Sequence, residues 1–237
     1  MNKYYQELND VFENRAVNLI NNAQDRYIAR RNNLDNAFTD LIIDERFFID
    51  VQYSFNFSKF GDIRIDVLSA FFFKKDKNKE KSLKIIKDST ENSFFKDVEN
   101  IFDIKSYGKY LKKDVKCDGV FYFLFNGNKP VLNNKPDIET IKKIKISKIV
   151  YIPNSIIEHE LKYNWIENKI NFKINDKEKN GIKEMHSSAF VCFNLNKLIK
   201  KYEIPVFKNR EELNSGFINY FIKTAPIRPK NNYKKNL

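Results

Sequence analysis

The predicted fold depends on two segments, Arg46-Phe-Phe-Ile-Asp-Val-Gln-Tyr-Ser-Phe55 and, after a short link, Gly61-Asp-Ile-Arg-Ile-Asp-Val-Leu-Ser69. Apolar and polar residues alternate in both segments, and a period of two is typical of half-buried strands. We therefore expect 47–55 and 61–73 to form adjacent antiparallel strands.

The polar faces of these two segments combine acids, an amide and an arginine, namely Asp50, Gln52, Ser54, Asp62, Arg64 and Asp66. An alternating strand always has a polar side, so a solvated outer face would account for this set. The concentration of acids beside an amide and an arginine on one short hairpin is more typical of a functional site.

Composition limits the class of protein. The chain has 237 residues, of which 42% are hydrophobic, and it can bury a substantial core. It contains no apolar run of the roughly 20 residues that span a bilayer. Because its first residues also lack the apolar segment of a signal peptide, we expect a cytoplasmic protein with no membrane partner.

Cofactor chemistry based on sulfur, histidine or a glycine-rich loop is not indicated. The cysteines Cys117 and Cys192 and the histidines His159 and His186 stand far apart, so core or surface positions are expected rather than zinc ligands. No glycine-rich phosphate loop occurs among the six glycines, which argues against P-loop ATPases and dinucleotide enzymes.

The formal net charge of +12 favours an anionic partner, nucleic acid first. Lysine-rich composition also arises in AT-rich genomes, in which case the excess would be solvated surface. The tail from Pro226 to Leu237 is basic and has little to bury, so we expect it to be flexible and to contact phosphates.

Other segments predict further elements of a mixed fold. An amphipathic helix is expected from Tyr5 to Ala23, and a central strand buried on both faces from Asp118 to Phe125. Two strand-then-helix units follow, at 149–153 with 155–161 and at 189–193 with 195–202.

Acids on neighbouring strands suit a metal-dependent phosphodiester hydrolase. Mg²⁺ takes hard oxygen ligands and lowers the pKa of an attacking water, so its carboxylates must project from rigid elements. Asp50 and Gln52 share one face of their strand. An upstream acid would complete the site, and either Asp35 or Asp40 can supply it.

In this order of elements the chain resembles the PD-(D/E)XK nuclease superfamily, whose core is a helix, a meander of strands with the acids, a helix and a further strand. Asp35 or Asp40 takes the place of the first acid, and Asp50-Val-Gln52 that of the (D/E)XK element. Gly61–Asp66 and Asp118–Phe123 match later positions of phage-type members. The match covers roughly residues 5 to 125.

The resemblance implies an α/β fold with a restriction-endonuclease-like mixed central sheet flanked by helices. It implies one nuclease-like domain over 1–225 with a C-terminal elaboration, followed by the flexible basic tail 226–237. The implied activity is a DNA endonuclease that depends on Mg (or Mn), in restriction-type or phage or mobile-element DNA processing. A homodimer is left open.

The resemblance and the local sequence together suggest residue roles. The catalytic set is Asp35, Asp40, Asp50 and Gln52; the metal set is Asp35, Asp40, Asp50, Asp62 and Asp66; and the nucleic-acid-binding set is Arg64, Lys74, Lys75 and Lys109. Lys109 is included because a basic residue between tyrosines in a loop suits phosphate contacts, although a helix-end turn packed by the two tyrosines accounts for it equally well. For Arg64, an ion pair within its own strand is the simpler alternative.

One position departs from the superfamily pattern. Gln52 stands where the usual lysine is expected. An amide can orient water or phosphate, but it supplies neither a positive charge nor an ammonium proton. Lys74 or Lys75 could substitute. The chief alternative is a catalytically inactive nuclease-fold protein that binds nucleic acid or a protein partner, and a further one is a host- or phage-defence interaction protein with no nucleic-acid role.

Overall fold

The chain forms a mixed α/β structure with a mixed central sheet flanked by helices. The structure is a computed structural model. It describes residues 3–22, 28–32, 39–55, 57, 61–74, 78–88, 94–108, 117–163, 187–208 and 210–224.

Eleven strands and seven helices are formed by the described residues. The strands are β1 Ala29–Arg31, β2 Leu41–Ile43, β3 Phe47–Ser54, β4 Asp62–Phe73, β5 Phe102–Tyr107, β6 Gly119–Leu124, β7 Val131–Leu132, β8 Lys135–Pro136, β9 Lys148–Pro153, β10 Ser187–Asn194 and β11 Val206–Phe207. The helices are α1 Lys3–Asn21, α2 Lys79–Asp88, α3 Phe94–Ile101, α4 Ile138–Lys143, α5 Asn154–Tyr163, α6 Leu195–Tyr202 and α7 Arg210–Thr224.

Two compact units divide these elements. The first draws on 1–61, 116–154 and 196–237, and the second on 62–115 and 155–195. The sheet of the first unit has the order β1-β2-β3-β6-β9-β11. Its strands β1, β2 and β3 form an antiparallel meander, β6 runs parallel to β3, and β9 runs antiparallel to β6.

One face of this sheet packs on α1 and α7. The buried cluster on that face is made by apolar residues of three helices and the central strands, including Phe12, Ile20, Ile49, Val51, Phe121, Phe123, Ile141, Phe217 and Phe221. α1 forms as expected because Leu8, Phe12, Ala16 and Ile20 recur on one side of the helix.

The other face of the sheet is buried as well. Val120 and Tyr122 of β6 are both buried there, and so is Phe48 of β3. The expectation of a half-buried strand at 47–55 is therefore wrong for most of its length, because the run from Phe47 to Val51 is buried without a break.

The expected β3–β4 hairpin is also wrong. The two edges of β3 pair with β2 and β6, so neither is open to β4. The chain leaving β3 instead crosses the end of β6, where Phe57 N donates to Phe125 O at 3.1 Å. The strand at 119–124 does belong to the sheet of β3, as predicted.

A second, three-stranded sheet in the order β10-β4-β5 forms the centre of the second unit. Both pairings are antiparallel. The apolar side chains Ile63, Ile65, Leu68 and Phe71 of β4 are buried, and Phe71 packs edge-to-face on Phe102 of β5 at 4.5 Å between ring centroids.

The predictions for β6 and for the two strand-then-helix units are confirmed, whereas the predicted basic tail 226–237 lies outside the described residues. β6 is buried along its whole length, and both strand-then-helix units form, as β9 with α5 and β10 with α6. Cys117 is buried and Cys192 is partly buried, and neither forms a disulfide bond. Among the described helices, none combines the length and the apolar composition that a membrane crossing requires.

Candidate active site

Asp50 and Gln52 lie side by side on β3. The side chain of Asp50 has no exposed surface, and Gln52 Nε2 donates to Asp50 Oδ2 at 2.8 Å. Alternation places both on the face opposite Ile49 and Val51. A buried carboxylate requires donors of this kind, because burial of an unsatisfied charge costs several kcal/mol or more.

Asp40 joins this pair from the neighbouring strand. It immediately precedes β2, whose Leu41 pairs with Ile49 of β3. Its backbone N donates to Ile49 O at 3.0 Å, and its Oδ2 accepts from Val51 N at 2.7 Å. The carboxylate of Asp40 is thus fixed to the backbone of the strand that carries Asp50.

The turn between β2 and β3 sets this register. Asp44 and Glu45 adopt φ values of 52° and 57°, a left-handed conformation that few residues other than glycine and asparagine accept readily. Arg46 supports the turn, since its Nη2 lies 2.7 Å from Asp44 Oδ2. A shift of one residue here would move Asp50 to the opposite face of the sheet.

An acid of α1 lies within electrostatic reach of Asp50. Burial raises the pKa of Glu13, the ion pair with Arg31 lowers it in part, and the charges of Asp10 and Asp50 raise it further. Arg31 Nη2 lies 2.7 Å from Glu13 Oε2 and also binds Asp10, so it connects α1 to β1. These residues were not singled out from the sequence, although the spacing of Asp10 and Glu13 puts both at one edge of the apolar face of the helix.

Asp118 is a structural acid at the start of β6. Its Oδ2 accepts from Phe48 N at 2.8 Å, its N donates to Phe48 O at 2.7 Å, and its O accepts from Asn154 N at 2.9 Å. Asp118 thereby fastens β6 to β3 and to the start of α5, and its match to the superfamily pattern has a packing explanation.

The predicted residues of β4 belong to the second unit. Asp62, Arg64 and Asp66 are exposed. Arg64 Nε lies 3.4 Å from Asp66 Oδ1, and the Arg64 guanidinium lies 3.4 Å from the ring centroid of Phe190 on β10. The geometry of Arg64 is that of a surface ion pair and a cation–π contact.

The predicted lysines are only partly described. Lys74 is exposed, and its Nζ donates to Glu99 O at 2.8 Å in the last turn of α3, where carbonyl groups lack partners within the helix. Lys75, Lys109 and the alternative first acid Asp35 lie outside the described residues.

The donor set at β2 and β3 suits Mg²⁺. Among the residues that the structure describes, no group of three or more His, Cys, Asp or Glu could hold a metal ion. Mg²⁺ in phosphoryl-transfer sites commonly takes one or two carboxylates and completes its shell with waters and substrate phosphates. Asp40, just before β2, and Asp50, on β3, are two carboxylates of neighbouring segments, the number that such a site takes from the protein.

Comparison of the chain with protein-family models, curated proteins and solved structures gives no match.

Proposed function

We propose that this protein is a Mg²⁺-dependent DNA endonuclease whose site is formed by Asp40, Asp50 and Gln52. The observation that carries the proposal is that the Asp40 carboxylate accepts from the β3 backbone at Val51, next to Asp50, whose own carboxylate accepts from Gln52. The net charge of +12 supports an anionic substrate.

The order of elements supports the same proposal. In the first unit a helix is followed by a three-stranded antiparallel meander and later by a strand parallel to the third. The resemblance expects a helix between the meander and that strand; here β4, α2, α3 and β5, which belong to the second unit, lie between β3 and β6 along the chain.

Each residue has a distinct role in this proposal. Asp40 and Asp50 hold the ion, which supplies charge stabilisation and an acidified water when bound. Gln52 keeps the Asp50 carboxylate in one orientation through its 2.8 Å hydrogen bond. Its amide can also position water or a phosphate oxygen, but it cannot donate a proton as an ammonium group does.

Binding of Mn²⁺, followed by electron paramagnetic resonance, tests the metal site. We expect the wild type to bind Mn²⁺, and both Asp50→Asn and Asp40→Asn to weaken binding by more than about tenfold, since each removes a ligand charge. Asp103→Asn is the matched control, because Asp103 is an exposed acid paired with Lys105 at 2.7 Å. Loss of affinity in the control but not in Asp50→Asn would contradict the assignment. The same titration of Asp62→Asn and Asp66→Asn decides whether β4 contributes ligands.

A catalytically inactive protein that keeps the fold and binds nucleic acid is the second candidate. Two observations favour it: Asp50 has no exposed surface, and its neighbour on the strand face is the neutral Gln52. This candidate predicts DNA binding with no dependence on divalent ions and no effect of Asp50→Asn on affinity.

A further inference from the structure

The β7–β8 hairpin presents apolar side chains to solvent. Val131 and Leu132 are 57% and 62% exposed, the largest values among the apolar residues described after β6. The paired strands are short, with Leu132 opposite Lys135 and Val131 opposite Pro136. Successive residues of a strand point to opposite sides, so each side of the ribbon presents one exposed aliphatic side chain.

The hairpin is anchored at its base to α1 and α4. Asn133 and Asn134 form its two-residue tip with φ values of 51° and 61°, the pattern of a type I′ turn. Asp137 N donates to Pro130 O at 3.0 Å, which closes the base of the hairpin, and the side chain of Asp137 then caps α4. β8 packs against α1, and Arg15 of α1 donates to Ile144 O at 3.0 Å beyond the end of α4.

The segment around the hairpin is strongly basic. Between 126 and 148 it contains Lys129, Lys135, Lys142, Lys143, Lys145 and Lys148. The acids in this segment are Asp137, which accepts from Thr140 N, and Glu139, which accepts from Lys142 Nζ. Both acids are engaged within α4, and six lysines against two acids give the segment a positive net charge.

We infer that the β7–β8 hairpin enters the major groove of duplex DNA, with Asn133 and Asn134 toward base edges and the surrounding lysines toward phosphates. A two-stranded ribbon fits the major groove, which is about 12 Å wide, and is too broad for the minor groove of about 6 Å. Asparagine amides can pair with adenine edges, and aliphatic side chains can contact thymine methyl groups. The inference rests on the proposed function for its choice of DNA.

An anionic membrane is the main competing partner for a basic surface with exposed aliphatic residues. Segments that lie in a membrane interface usually carry tryptophan or phenylalanine on a broad apolar face. Between 126 and 148 the chain has neither, and its tip is formed by two asparagines. Duplex DNA matches both the charge and the polar tip.

Exchange of both tip residues, Asn133→Gly with Asn134→Gly, tests the base contacts. Glycine accepts positive φ, so the turn is retained while the amides are removed. Fluorescence anisotropy with a labelled duplex should show affinity about tenfold lower, as expected for loss of amide–base pairing. The thermal unfolding midpoint of the tip variant should equal that of the wild type. The affinity for a single strand of the same sequence should be the same in the tip variant and in the wild type.

Removal of two lysines tests the phosphate contacts. Lys143→Ala with Lys145→Ala should reduce the slope of log K against log salt by roughly two, since each phosphate contact contributes about 0.9. Lys81→Ala with Lys84→Ala removes the same charge from exposed positions on α2 and is the matched control. The control should leave the slope unchanged.

Three results would overturn the inference: a wild type that does not bind duplex DNA, duplex affinity unchanged in the tip variant, or hairpin-dependent binding to phosphatidylserine vesicles but not to DNA. Different results would reject the nuclease proposal and the hairpin inference. Hairpin-dependent binding without any cleavage rejects the nuclease and keeps this inference, whereas cleavage with unchanged affinity in the tip variant rejects this inference alone.

Discussion

Gln52 occupies the position at which the chain departs from the nuclease pattern, and the structure shows what its side chain does there. The amide donates to the buried Asp50 carboxylate at 2.8 Å. A lysine ammonium at the same position could make the same contact and would add a positive charge beside the carboxylate.

We therefore expect Gln52→Lys to keep or raise the rate of DNA cleavage. The single-turnover rate at saturating DNA is the appropriate measurement, because it separates chemistry from binding. Gln52→Ala serves as the comparison and should lower the rate, since it removes the group that orients Asp50. If the lysine variant were slower than the alanine variant, Gln52 would not stand in for the superfamily lysine.

Glu13 supplies a prediction about pH. Burial raises the pKa of Glu13 above its ordinary value of 4.5. Between these two pKa values the folded state holds a proton that the unfolded state has released. The contribution of Glu13 to the free energy of unfolding is then lost as pH rises from 4.5 through the raised pKa. Glu13→Gln should flatten the pH dependence in that window, as measured by urea unfolding at a series of pH values.

Loss of the ion pair with Arg31 in Glu13→Gln adds an offset, and the slope with pH is therefore the informative quantity. Glu7→Gln, on the same helix, is the control. A Glu13→Gln slope identical to that of the wild type would show that Glu13 titrates alike in both states.

Alternation along 46–55 predicted correctly that Asp50 and Gln52 share a face, because this depends only on the period of a strand. The burial of that face could not be predicted in the same way. Phe48 is the one local sign of it, since it interrupts the polar side with an apolar residue. The electrostatic link between Glu13 and Asp50 depends on packing of α1 on the sheet, which no local pattern encodes.

At the level of elements, pairing partners were harder to predict than the elements themselves. β3 and β4 were each expected from their alternation, and both form. Their pairing was inferred from proximity in the chain, whereas β3 pairs instead with β6, about 70 residues away. The nearly continuous apolar run of β6 correctly predicted a strand buried on both faces, and such a strand occupies the centre of a sheet.

Gly119 is the position in β6 where a close approach can be tested. A Cβ at Gly119 would lie 2.5 Å from Tyr151 Oη and 2.6 Å from Ile152 O, and the latter belongs to the backbone of β9. Gly119→Ala should therefore lower the free energy of unfolding by about 1–3 kcal/mol, as overpacking does in other cores.

Denaturant unfolding measures the effect of Gly119→Ala, and Asn126→Ala at an exposed position after the same strand is the control. An unchanged midpoint for Gly119→Ala would mean that β6 and β9 are less closely packed than the register indicates.

At the scale of the whole molecule, composition indicated the type of partner and the structure indicates a surface for it. A net charge of +12 predicts binding that weakens as salt rises, whatever the fold. The location of that binding could not be read from composition. The basic segment 126–148 became a candidate only because its hairpin is exposed and closed by Asp137, whereas the predicted Lys74 is engaged by α3.

The central claim is that Asp40 and Asp50 make this protein a metal-dependent DNA endonuclease. Its most direct test is conversion of supercoiled plasmid to nicked and linear forms by the wild type and by Asp50→Asn, with Mg²⁺, with Mn²⁺ and with EDTA. We expect the wild type to cleave only with a divalent ion. We expect no cleavage by Asp50→Asn, and its unfolding midpoint should equal that of the wild type. Cleavage by Asp50→Asn at the wild-type rate, or no cleavage by the wild type with either ion, would contradict the central claim.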